Sequence, residues 1–251
     1  MDVLACVKRV PMVGGRITLT EDGQEVDTRM SGFTVSPHEE CAVEEAVQLT
    51  EREGGTVTVL TLGPPEAEAQ LRDMLALGAG RAVLLETGPE EWGPQSTAAA
   101  IAAAARATGP YDLLLFGNEA ADTGGYQVPV RVAHELGLPC ATGIKTLELS
   151  GDGVVAGREY RGRQERFALP RPAVISVKEG INLPRYPSLP GRLRAKRATV
   201  ERLAPAARPD GLRKTRLTVP ARESRRAEIL GTGPEAVPAL VALLDELGVL
   251  P

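Results

Sequence analysis

An apolar run, Leu113-Leu114-Leu115-Phe116, stops at Gly117 and gives way to a small, polar turn, Asn118-Glu119-Ala120-Ala121-Asp122-Thr123-Gly124-Gly125-Tyr126-Gln127. Apolar residues at helical spacing, Val128, Val130, Val132, Ala133 and Leu136, follow at once. Strand, tight loop and helix start, in that order, are the parts of a phosphate site. At the carboxyl end of a parallel strand, free backbone N–H groups and the positive end of a helix converge on an anion. An ordinary strand-to-helix turn has the same order, so the segment by itself leaves both readings open. Asp122, Glu39 and Glu159 are the carboxylates that could do acid–base work. No Gly-x-Ser-x-Gly elbow, Walker loop or His-Glu-x-x-His pattern accompanies them, so catalysis by this chain alone is not expected. His38 and His134 are too few for a histidine-based metal cluster.

The elements that must position this loop read as an alternation of strands and helices. Val3 to Val7, Thr56 to Leu62, Ala82 to Glu86 and Asp112 to Phe116 are short apolar runs. Between them lie helix-length segments, from Ser36, from Ala67 to Leu77 and from Ser96 to Thr108. In the first of these, Ser36 can cap, Pro37 suits the first helical position and Glu39 completes a capping box. Ala42, Val43, Ala46, Val47 and Leu49 form its apolar face, which leaves Glu44, Glu45 and Gln48 on the solvent side. Strands joined by helices pair in parallel through right-handed crossovers. The expected fold is therefore α/β, a doubly wound, mostly parallel, Rossmann-like sheet, over residues 1–183.

Further along, Asp22-Gly23 marks a hairpin turn between Arg16–Leu19 and Gln24–Asp27. Thr142 to Leu149, Val154 to Tyr160 and Glu165 to Leu169 read as strands with glycine-containing turns, and Pro172 to Val177 as one more. From Asn182 on, Pro184, Pro187 and Pro190 argue against regular structure until a helix from Ala236 to Leu247. Residues 184–251 are thus expected to form an extended arm that lies on another surface.

Charge and composition narrow the function. The net charge of −4 is uneven: Arg185 to Arg226 holds 13 Lys or Arg against 3 Asp or Glu. Such a basic arm suits an acidic partner or an anionic ligand. It lacks the zinc pattern, RNA-binding signature and aromatics of a nucleic-acid binder, so nucleic acid is not the expected partner. No apolar run is long enough to cross a membrane. The N-terminus reads as a buried strand, not a signal peptide, and Cys6, Cys41 and Cys140 are too widely spaced for a disulfide framework or zinc site. A cytoplasmic protein is expected.

Four stretches occur in order: Val7-Lys8-Arg9-Val10-Pro11; Ser36-Pro37 with Ala42-Val43-Glu44-Glu45-Ala46; Gly117 with Asp122 and Gln127; and Asn182-x-Pro184-Arg185-Tyr186-x-x-Leu189-Pro190. Together they resemble the beta subunit of electron transfer flavoprotein, the family that also holds the FixA proteins, over nearly the whole chain. The resemblance implies a heterodimer with an alpha subunit that carries most of the redox FAD site. It implies an AMP in the α/β core of this chain, or a second FAD in its place in electron-bifurcating members. By position, the nucleotide would meet Cys6, Ser36, Pro37, His38, Glu39, Leu62, Gly117, Asn118, Glu119, Ala120, Ala121, Asp122, Thr123, Gly124, Gly125, Tyr126, Gln127 and Val128. Asp122 would order the loop or meet a ribose or water, not the phosphate.

The resemblance also implies that Leu189 docks into an apolar pocket on partner dehydrogenases, and that Glu159 helps orient them. Electrons would come from dehydrogenases such as acyl-CoA dehydrogenases and leave to a quinone-linked oxidoreductase. The chain departs from the family at Ser36, where Asn is common, and at Val13, where some members have an aromatic that reaches the flavin. Arg194 and Arg197 stand where some relatives carry methylated lysines. The reading of another class is a stand-alone nucleotide-binding sensor or adenylate-transferring enzyme, which would turn over ATP by itself.

Overall fold

Runs of Val, Leu and Ala that are apolar on both sides can only be interior strands, with helices covering each face. The computed structural model describes residues 1–12, 14, 17–88, 92–206, 211, 214–220 and 228–249, and the expectations at Val13 and Arg16 lie outside them. The chain begins with β1 (Asp2–Cys6), β2 (Val10–Pro11), β3 (Phe33–Thr34), α1 (Pro37–Glu53), β4 (Thr56–Gly63), α2 (Glu68–Leu77) and β5 (Arg81–Glu86). It continues with α3 (Pro94–Thr108), β6 (Leu113–Gly117), α4 (Val128–Leu136), β7 (Cys140–Ile144), β8 (Thr146–Ser150), β9 (Gly153–Tyr160) and β10 (Arg163–Pro170). Then come β11 (Ala173–Val177), α5 (Leu189–Arg197), β12 (Val200–Leu203) and α6 (Val237–Glu246).

Seven strands form one sheet in the order β12-β5-β4-β1-β6-β11-β7, every neighbouring pair parallel. This is the expected doubly wound α/β fold. The strands alternate between two cores, as their period of two requires. Val3 and Ala5 of β1, with Leu113 and Leu115 of β6, pack against α1 and α2. Leu4 and Cys6, with Leu114 and Phe116, pack on the side of α3 and α4. The antiparallel strands β8, β9 and β10 form a separate sheet that adds Leu147, Val154 and Ala156 to the first core.

Two expectations are corrected. The proline-rich stretch after Asn182 does hold regular structure: α5 packs on α2, and β12 pairs with β5 at the sheet edge. Its prolines fall where helices tolerate them, with Pro190 in the first turn of α5 behind the cap Ser188. Arg72 of α2 donates to the carbonyls of Ala195 at 2.6 Å and Ala198 at 3.2 Å, filling acceptors that the end of α5 leaves open. The second correction concerns α1. Glu44 and Glu45 do not face solvent; they are buried at 2% and 6% exposure, because residues 182–185 lie across them.

Residues Met1–Leu217 make one compact unit and Thr218–Pro251 a second. In the second, α6 follows a short 3-10 turn (Gly233–Ala236) and has no buried residue, with Val237, Leu240 and Val241 exposed. The three cysteines are free. Among the described residues no helix is long and apolar enough to cross a membrane.

Candidate functional site

The chain passes outward from β1 to β4 and β5 through α1 and α2, then returns through α3 to β6 on the other side of β1. The order of strands thus reverses between β1 and β6. At such a switch point the loops leaving the two carboxyl ends turn to opposite faces and open a crevice. A cleft of about 1310 Å³ lies there. Its wall runs through Cys6, Val7 and Lys8 after β1, Leu62 to Pro64 at the end of β4, Thr87 and Gly88 after β5, and Phe116 and Gly117 of β6. Gln127, Val128 and Pro129 at the start of α4, and Gly93 and Pro94 at the start of α3, complete it.

The first turn of α1 is built as its sequence predicts. Glu39 N–H donates to Ser36 Oγ at 3.3 Å, and Ser36 N–H donates back to Glu39 Oε2 at 3.1 Å, so both halves of the capping box are present. The Ser36 hydroxyl donates to the same oxygen at 2.9 Å. Gly117 lets this turn seat on β6, since a Cβ there would lie 2.7 Å from Glu39 Cγ and 3.1 Å from Glu39 N. Burial pushes the Glu39 carboxyl up to about 7, against its hydrogen bonds from Ser36 and the charge of Lys8. Burial also raises the Cys6 thiol well above its usual range, which leaves a neutral apolar contact and not a nucleophile.

The loop after β6 is held by groups distant in sequence. Lys8 Nζ donates to Asp122 Oδ1 at 2.7 Å, which ties the loop to the end of β1. The Ser176 hydroxyl donates to Asn118 Oδ1 at 3.3 Å, and Tyr126 OH donates to Glu119. The Glu119 carboxylate lies 3.7 Å from His38 Nε2. His38 Nδ1 accepts the N–H of Glu179 at 2.7 Å, so in the neutral ring Nε2 carries the proton and points at Glu119. Ala120 and Gly125 close the loop with a bridge, and Gly124 takes the left-handed φ of +62° that favours glycine.

Of the residues expected at the site, Cys6, Glu39, Leu62, Gly117, Glu119, Ala120, Thr123, Gly125, Gln127 and Val128 line the cleft. Ser36 and Asn118 are buried and shape those that do, and exposed Asp122 is tied to Lys8 of the wall. His38 and Tyr126 meet in Glu119, while Pro37 opens α1, and Ala121 and Gly124 belong to the turn itself. Several lining residues escaped the sequence reading. Lys8 and Arg9 follow β1 directly, and Arg9 stacks on Phe33 with 3.2 Å to the ring centroid. Thr61, Thr87, Trp92 and Thr97 form the wall beside β4, β5 and α3. The rule that sites gather at the carboxyl ends of strands would have found these had it been applied to β5 as well as β6.

Leu189 and Glu159 lie outside the lining of the cleft. Leu189 is the first residue of α5 and 71% exposed; Leu193, one turn on, is 51% exposed. Glu159 is exposed on β9, opposite Gln164 of β10.

Residues 26–208 match the model of the electron transfer flavoprotein domain. Among curated proteins, the electron transfer flavoprotein subunit beta of Bacillus subtilis is 38% identical over 74% of this chain and 70% of its own length. The protein of the same name from Syntrophomonas wolfei is 36% identical over 82% of this chain and 81% of its own. The human one is 32% identical over 98% of this chain and 97% of its own.

Proposed function

The chain belongs to the electron transfer flavoprotein family as a beta subunit, and from that premise we propose that it forms a flavin-carrying heterodimer with an alpha subunit. This cytoplasmic complex takes electrons from dehydrogenases, acyl-CoA dehydrogenases among them, and passes them to a quinone-linked oxidoreductase. The redox FAD is held mainly by the alpha subunit and, when bound, supplies the electron-carrying chemistry.

In this reading the chain's own task at the cleft is to hold an adenine nucleotide, AMP in the first instance, through Cys6, Ser36 to Glu39, Leu62 and Gly117 to Val128. The observation that carries it is the donor set at the switch point. Val7, Leu62, Phe116 and Val128 offer apolar contact to a purine. The starts of α3 and α4 and the guanidinium of Arg9 offer counter-charge to a phosphate. Among the described residues no side chain caps the start of α4, which leaves the N–H groups of Val128 and Val130 for a ligand. The residues therefore fit the group. Asp122, paired with Lys8, orders the loop and leaves phosphate contact to backbone N–H groups.

A second FAD in the same cleft is the second reading. The cleft of about 1310 Å³ is larger than the roughly 300–1,000 Å³ usual for one small ligand, and it continues to Arg9, Phe33 and the 20–29 segment. Outside the cleft, exposed Leu189 docks on the dehydrogenase and Glu159 orients it. The apolar residues of α6 serve the arm that meets the alpha subunit.

Co-expression with the alpha subunit tests this. A yellow heterodimer is expected, and denaturing it should release one FAD and one AMP. Two flavins and no AMP would select the second reading. A stable, colourless monomer without affinity for the alpha subunit, or one that turns over ATP alone, would overturn the proposal.

A further inference from the structure

Helix α1 carries Glu44 on a face that its own sequence leaves polar, yet this carboxylate is 2% exposed. What buries it is the segment that leads into α5. Between Asn182 and Ser188 the chain has two prolines, which have no N–H to donate. Among the described residues, the only backbone group of 183–187 with a hydrogen bond is the Arg185 N–H, which donates to Glu44 Oε2 at 3.2 Å.

The Arg185 guanidinium adds a fork: Nε donates to Glu44 Oε2 at 2.9 Å and Nη2 to Oε1 at 3.0 Å. Its outer edge reaches a second carboxylate, with Nη1 2.7 Å and Nη2 3.0 Å from the two oxygens of Glu51. Gln48 Nε2 donates to the remaining side of Glu44 at 2.8 Å. Upstream, Asn182 Nδ2 donates to Cys41 O and Glu45 Oε2, both at 3.0 Å.

Beside this clamp stand exposed apolar side chains: Leu183 at 89%, Tyr186 at 96% and Leu189 at 71%. Burial cannot hold side chains that face water. Here charge pairing on α1 fixes the backbone that carries them. Arg suits the task, because its planar fork meets carboxylates in one geometry.

We propose that Arg185 is a positioning residue for docking, which clamps the entry to α5 onto α1 so that Tyr186 and Leu189 meet a partner dehydrogenase in one preset arrangement. The proposal rests on the reading of Leu189 as the docking residue. A preset segment loses less freedom on binding, so the clamp acts on association and not on the redox step.

The test uses the whole heterodimer, with an acyl-CoA dehydrogenase and its acyl-CoA as the probe donor. Arg185→Met should raise KM for the heterodimer about tenfold and leave kcat within about twofold. Flavin content and spectrum should be unchanged. In a Leu189→Ala background the same substitution should add less than about twofold, because both act through one contact. Glu51→Gln removes only the exposed half of the fork; it should raise KM about threefold, and it serves if Arg185→Met does not fold. An unchanged KM in Glu51→Gln and Arg185→Met, where Leu189→Ala raises it, would overturn the clamp alone. So would a full tenfold effect persisting on Leu189→Ala. If Leu189→Ala itself leaves KM unchanged, the docking reading falls and the clamp falls with it.

Discussion

Two carboxylates on one helix are buried by different means. At the amino end of α1, Glu39 is 7% exposed beside the cleft and accepts hydrogen bonds from the N–H and hydroxyl of Ser36. Burial outweighs these bonds and lifts it to about 7. Five residues on, Glu44 is 2% exposed. Burial raises it too, but the hydrogen bonds from Arg185 and Gln48 outweigh burial and hold it below the usual range. A hydrogen-bonded carboxyl without a direct ion pair can take or lose a proton near neutrality. A forked one stays charged and holds a neighbouring segment in place. In the proposed reading the cleft end of α1 serves binding, while the other end holds an exposed segment that little else holds.

The sharpest way to break this contrast is Arg185→Met. It leaves a buried charge without its cation and should cost about 3–5 kcal/mol in urea denaturation of the complex. The double variant Arg185→Met with Glu44→Met should recover most of that loss, since an apolar pair can replace a buried ion pair. A single variant as stable as the parent would mean that Glu44 is not held by the fork.

Next in size is Glu39→Gln, which retains an acceptor for the Ser36 N–H but cannot titrate. The folded protein holds a proton on Glu39 that the unfolded chain gives up at lower pH. The contribution is therefore fully present below about pH 4.5 and is lost as pH rises through about 7. The glutamine variant should be more stable by roughly 3 kcal/mol at about pH 8 and little changed at about pH 4. Glu44 has the opposite sign, with stability present above the ordinary carboxylate range and lost as pH falls below it. Denaturation curves across pH for the two sites should therefore slope in opposite directions.

The smallest effect belongs to Gly117→Ala. Its methyl would press on the first turn of α1, at a cost of about 1–3 kcal/mol. Release of nucleotide during purification should rise with it, measured as AMP or flavin per heterodimer. An unchanged nucleotide content would show that α1 can shift without disturbing the cleft.

Local signals in the sequence were enough for much of this. Ser36, Pro37 and Glu39 define the start of α1 by hydrogen bonds within four residues, and both bonds are present. The end of β6 at Gly117 and the start of α4 at Val128 were equally legible, because an apolar run and a helical period are properties of neighbouring residues. The same logic failed after Asn182. A nine-residue helix with four basic residues, a Pro and a Gly is not stable by itself, and α5 forms because α2 supplies a surface and Arg72 supplies donors for its last carbonyls.

By itself, the sequence determined the central strands, the helices between them and the order in which they come, and so a parallel α/β sheet, but not α5 or β12. Only the tertiary structure decided which polar residues pair across the chain, and that Glu44 became internal. Glu44 and Arg185 are 141 residues apart, and Lys8 and Asp122 are 114 apart. A polar position on a helix reads as solvent-facing until another segment arrives with the right charge to cover it. That choice depends on a long-range pairing, which no window of sequence contains and only the folded chain can make.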